Sequence, residues 1–158
     1  MRFRRVALSA LLASCASSSP RSAGPPAAPT VRAEVGLPDA TPARFVNVSI
    51  QQDSTPWTMD GCVSNLSGAC FATQRVPLTA DDERALRSHL DAVARMPLCE
   101  PEAFAPGDPA YTVSIPSREL AGHLPVNAAE IEARTAGPCG APARLAWWIA
   151  RRFTAGTR

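Results

Sequence analysis

Proline sets the first limit on this chain. Sixteen prolines among 158 residues each fix φ near −65° and withdraw a backbone donor, so regular elements must be set among long irregular stretches. Six of them (Pro20, Pro25, Pro26, Pro29, Pro38 and Pro42) fall in residues 16–42, together with a run of serines and almost no large apolar side chain. Such a segment buries too little surface to offset its ordering entropy, and residues 15–42 read as a flexible tether. The folded body is then expected over residues 43–158, of which ~110 are enough to build one modest core. No run approaches the roughly 20 apolar residues that cross a bilayer as a helix.

Within that body the hydrophobic period changes from two to 3.6. Val46, Val48 and Ile50 alternate with Asn47 and Ser49, and Tyr111, Val113 and Ile115 repeat the pattern, so both stretches read as half-buried strands. A weaker strand is expected over residues 70–76. Thr79 followed by Asp81, Asp82 and Glu83 opens a helix with a cap and with acids at its positive end, and Leu86, Leu90 and Val93 mark its buried side. The pairs Glu83/Arg87 and Asp91/Arg95 support its exposed side, and Pro97 ends it. Asn127 and Glu130 have capping-box spacing for a short helix; alternatively, residues 120–126 pair with the preceding strand. A last helix begins at Pro142, carries Leu145, Trp148 and Ile149 on one stripe, and holds Arg151 and Arg152 near its negative end. The expected fold class is α+β: a small single domain with a few antiparallel strands, two main helices and two disulfides, preceded by a disordered tether.

Charge excludes one class of partner. All sixteen basic residues are arginine, and removing Arg2, Arg4 and Arg5 with a leader leaves 13 against 14 acids, about −1. They are spread singly apart from Arg151–Arg152, so the basic face that tracks a phosphate backbone is missing and no nucleic-acid partner is expected.

Five cysteines divide into one and four. Cys62, Cys70, Cys99 and Cys139 form an even set in the body, which in an exported domain reads as two disulfides. Three connectivities exist. The favoured one joins Cys62 to Cys70 across a turn rich in Asn, Ser and Gly, and Cys99 to Cys139 between the loop after the first helix and the start of the last, each worth roughly 3–4 kcal/mol by loop closure. A four-thiolate zinc site needs cysteines two to four residues apart; separations of 8, 29 and 40 do not supply it, and no metal or cofactor is expected.

The fifth cysteine stands near the amino end. Arg2, Arg4 and Arg5 make a positive start, residues 6–13 a short apolar stretch, and Leu12-Ala13-Ser14-Cys15 follows. These residues resemble a bacterial lipoprotein signal peptide with its lipobox: an aliphatic residue at −3, small residues at −2 and −1, and a cysteine whose thiol takes a diacylglyceryl group. The resemblance implies removal of residues 1–14, lipidation of Cys15, acylation (palmitate or a similar chain) of the new amino end, and a membrane anchor. Two or three acyl chains hold a protein on a bilayer effectively for good. Ala16 after the modified cysteine implies sorting to the outer membrane, facing the periplasm.

Chemistry-bearing motifs are scarce. No G-x-S-x-G, H-E-x-x-H, phosphate-binding loop or dinucleotide fingerprint occurs, so no catalytic residue is assigned. His89 falls within the first helix, and a trio of Ser114 or Ser117 with His123 and Asp108 rests on no motif. Trp147 and Trp148 are adjacent on a helix and point about 100° apart, so both cannot face one core centre. Trp147 is therefore a candidate binding residue, with Trp57 named beside it, an exposed tryptophan being a contact surface. The resulting expectation is a lipid-anchored envelope protein whose periplasmic domain is a binding or structural module, with an envelope protein as possible partner. An alternative is a periplasmic protease inhibitor, because a strand–helix–strand body followed by a helix loosely resembles small bacterial inhibitor domains of the emfourin kind, residues 111–115 standing where their central strand lies. An envelope hydrolase ranks third.

Overall fold

Three stretches in which every second residue is apolar build the centre of the molecule. In a computed structural model, which describes residues 30–100 and 104–157, they are β1 (Val31–Gly36), β2 (Arg44–Gln51) and β5 (Ala110–Ile115). Two further strands, β3 (Thr58–Asn65) and β4 (Cys70–Pro77), extend the sheet on one side, and β6 (Arg118–His123) ends it on the other. The order is β4-β3-β2-β1-β5-β6, with every neighbouring pair antiparallel. The expected α+β class is what the structure shows. Residues 1–29, on which the expected leader and the lipidation of Cys15 fall, lie outside the described residues.

One expectation is corrected. Residues 31–36 were assigned to the tether, yet β1 is ladder-paired on both sides, to β2 and to β5. Val31, Ala33 and Val35 are buried while Arg32 and Glu34 are exposed, a period-two pattern that the small Ala33 and the neighbouring prolines disguise. The folded body therefore includes residues from Val31 on, twelve residues earlier than residue 43. The strand β3 was also unexpected. Gly61 stands opposite Val48 in its register, where an alternating strand would carry a large apolar residue; a Cβ there would lie 2.1 Å from the Asn47 carbonyl oxygen.

The helices cover one face of this sheet. α1 (Ala80–Ala94) begins in a complete capping box: the Asp82 N–H donates to Thr79 Oγ1 at 3.1 Å, and the Asp82 carboxylate accepts from the Thr79 N–H at 2.9 Å. Leu86 and Val93 are buried, Leu90 partly so. Residues 118–134 realise both alternatives at once. β6 pairs with β5, and a single 3₁₀ turn at Ala128–Glu130, capped by Asn127, leads into α2 (Ile131–Arg134). α3 (Ala141–Gly156) has Pro142 in its first turn and buries Leu145, Ala146, Ile149, Ala150 and Phe153. The opposite sheet face presents Arg32, Glu34, Asn47, Ser49, Thr112 and Ser114, exposed or half-buried.

Both disulfides follow the favoured connectivity. Cys62–Cys70 spans the β3–β4 hairpin with Cα atoms 5.6 Å apart, and Cys99–Cys139, at 5.8 Å, ties the loop after α1 to the start of α3. The basic pair departs from expectation, because the last turn of α3 holds no basic residue. Arg152 instead reaches back to α1, its Nε donating to Asp82 at 2.8 Å, with a further bond to the Pro77 carbonyl at 3.2 Å. The attraction of Asp82 for a cation that also sits on α3 is stronger there than that of the distant helix end, whose field falls off within a turn.

Gly61→Ala forces a methyl group against the β2 backbone. It should lower the free energy of unfolding by about 1–3 kcal/mol, as overpacking does, read as a shifted urea midpoint with an unchanged slope.

Candidate functional site

Helical geometry places two tryptophans on the outer side of α3. With the Leu145–Ile149–Phe153 stripe turned to the sheet, Arg144, Trp147, Trp148, Arg151 and Ala155 fall on the side away from it. Neither tryptophan is fully buried or fully exposed. The Trp148 ring lies 5.8 Å from the His89 ring of α1, tilted by 44°, and the Arg151 guanidinium lies 5.7 Å from the Trp147 ring centre. With Ile131, Glu132 and Thr135 on its other wall, this side of α3 lines a groove of about 430 Å³, within the size range of small-ligand and peptide-side-chain pockets.

The groove is built on a fixed cation. Arg144 Nη1 donates to the Thr135 carbonyl and, at 2.8 Å, to the Gly137 carbonyl, so the guanidinium is held before any ligand arrives. Thr135 is itself held, its Oγ1 donating to the Ile131 carbonyl at 2.6 Å. Gly140 permits this closure, since a Cβ there would sit 2.0 Å from the Thr135 carbonyl oxygen. Burial, and then the nearby Arg144 charge, push the His89 pKa below the usual histidine value, so its imidazole is neutral at pH 7.

The two tryptophans singled out in the sequence are not brought together. Trp57 is half-buried beside the first turn of α1: its backbone N–H donates to Glu83 at 3.1 Å, and Arg87 lies 4.4 Å over its ring. Glu83 and Arg87 approach to 3.9 Å, which makes Trp57 part of an α1 charge cluster rather than of the groove. His89 and Arg144 join the site without having been marked for it. Their signal was present as spacing, because residues 144, 148, 151 and 155 recur on one side of a helix, but the partner wall from α1 and α2 comes only with tertiary packing.

The imagined Ser–His–Asp trio is separated by the β5–β6 register. Ser114 lies opposite Glu119 and donates to it at 3.3 Å, whereas His123 lies opposite Ala110; four residues of strand put these positions ~13 Å apart. Ser117 lies in the exposed turn between the two strands. His123 is stacked on Phe104, ring centres 3.9 Å apart. Asp108 is a buried tie between loops, accepting from the Ala105 N–H at 2.9 Å and the Val126 N–H at 3.1 Å, with Arg134 at 3.6 Å. The four body cysteines are held in the two disulfides.

With this geometry in hand, comparison with known proteins finds no match to a family model, to a curated protein or to a solved structure. What the site does rests on its own chemistry.

Asp108 has a folded-state pKa below the ordinary carboxylate value, set first by the Ala105 N–H bond, then by the Val126 N–H and by the charges of Arg134 and His123, against the opposing effect of burial. Its stabilisation is therefore complete above the unfolded pKa of ~3.9 and is lost as pH falls through the lower folded value. Asp108→Asn should be less stable than the parent at pH 7, and its melting temperature should fall less steeply between pH 4 and pH 2.

Proposed function

We propose that this protein is a lipid-anchored component of the bacterial cell envelope, held at Cys15 on the periplasmic side of the outer membrane, and that its domain is a binding module whose ligand surface is the α3 groove. The observation that carries the binding reading is the immobilised Arg144 beside Trp147 and Trp148. A guanidinium already held by two carbonyls loses little entropy when a ligand docks. The anchor is supported by Leu12-Ala13-Ser14-Cys15, and export to an oxidising compartment by two disulfides in a domain this small.

A second reading, inhibition of a protease, is favoured by one observation. The β3–β4 hairpin is braced by Cys62–Cys70, its turn is closed by the Gly68 N–H donating to the Asn65 carbonyl at 2.9 Å, and it exposes Leu66 and Phe71. A rigid loop presenting apolar side chains suits insertion into another protein.

Two measurements test the proposal. The tryptic fragment of residues 15–21 should carry a diacylglyceryl group and an acyl chain on Cys15 by mass spectrometry, and Cys15→Ala should move the protein from the detergent phase to the aqueous phase. An unmodified Cys15 thiol overturns the anchor. A photoreactive amino acid at position 147 should give a discrete crosslinked species in intact cells, while one at position 66 gives none; the reverse result overturns the groove in favour of the inhibitor reading.

A further inference from the structure

Resting on the groove as the binding surface, we infer that its ligand is an acidic segment of a partner protein, in extended form, with an apolar side chain set between two carboxylates. The charges point this way. Arg144, Arg151 and Arg152 line the groove against the single acid Glu132. Arg152 is matched by Asp82, but among the described residues neither Arg144 nor Arg151 makes an ion pair with a carboxylate. Arg144 uses Nη1 on backbone carbonyls, and Arg151 lies against the Trp147 ring with its side chain exposed. The groove thus holds two guanidinium groups without a carboxylate partner, a net excess of one cation once Glu132 is counted.

Spacing then selects the shape of the ligand. Seven residues of α-helix separate Arg144 from Arg151, ~10 Å along the axis, and Trp147 and Trp148 lie between them. Clustered cations would suit one phosphate group; two separated guanidinium forks with an apolar strip between them suit two carboxylates, each able to take paired N–H donors. In an extended peptide, residues i, i+2 and i+4 share a face and span ~13 Å. The pattern acid-x-apolar-x-acid therefore sets both carboxylates within reach of the arginines and lays the central side chain on the tryptophan rings. Glu132 on the wall disfavours a densely charged polyanion.

Selection from a random twelve-residue peptide library against the full-length protein in detergent micelles tests this directly. The enriched pool should contain two acids flanking an apolar or aromatic residue, and a synthetic peptide from that pool should quench tryptophan emission saturably. Arg151→Glu, an exposed position whose change should leave the melting temperature in place, should weaken that peptide at least tenfold, as should replacement of its acids by lysine. Failure to enrich any peptide, enrichment of basic or uncharged sequences, or binding to Arg151→Glu within twofold of the parent overturns the inference. Saturable binding of a galacturonate trimer without acidic-peptide enrichment overturns it too, in favour of an anionic glycan. If position 147 crosslinks in cells while the selected peptides are not acidic, the ligand class fails and the binding surface stands; if neither appears, both fall.

Discussion

The seating of α3 across the sheet is the contact on which the rest of this structure depends. Leu145, Ile149 and Phe153 are fully buried, and so are Ala146 and Ala150 beside them. The helix touches β1, β2, β5 and β6 as well as α1. Small alanines on the inner side let the helix axis approach the strands, and the large residues between them fill the space that remains. Truncating one such leucine to alanine in a protein core typically costs 2–5 kcal/mol, a large fraction of the stability of a domain of this size. The same seating fixes the rest of α3: once Leu145 and Ile149 face the strands, Trp147 and Trp148 lie half-buried at the margin of the core and Arg151 is left exposed. Site and core are two sides of one helix.

Two long-range ties hold α3 at its ends. Cys99–Cys139 secures the segment just before it, and Arg152 secures its far half to the Asp82 capping box of α1. Asp82 serves both elements, closing the first turn of α1 and receiving the α3 arginine. Its carboxyl is held below the ordinary range by the Thr79 N–H, Arg152 and the Thr79 hydroxyl, in spite of partial burial. The two helices therefore share one anion.

Much of this fold was legible in the sequence. The strands at residues 45–50 and 111–115, the Thr79 cap, the start of the last helix at Pro142 and the disulfide pairing all follow from local rules: alternation, capping chemistry and the nearness of Cys62 and Cys70 across a turn. The misses share a cause. Ala33 in β1 and Gly61 in β3 are small residues where alternation leads one to look for large ones, and the Gly61 position has the β2 backbone against it. Arg152 was read as answering its own helix dipole, and it answers a carboxylate 70 residues away in the chain. Of the site, adjacent tryptophans were visible as an anomaly, whereas the His89 and Thr135 walls depend on how α1 and α2 dock and leave no trace in local spacing. Trp57, a candidate only as a further tryptophan, has the charged first turns of α1 for its surroundings.

The position of β1 has a mechanical consequence. It is the first strand of the described chain, yet it lies inside the sheet, with β2 on one flank and β5 on the other. A pull transmitted through the residues ahead of Val31 runs along this strand, while the bonds on both flanks run across it. Such a force shears two ladders at once instead of unzipping one bond at a time. A tug on the leading end of the chain is thereby shared across the middle of the sheet, and the first strand resists extraction far better than a strand at either rim would.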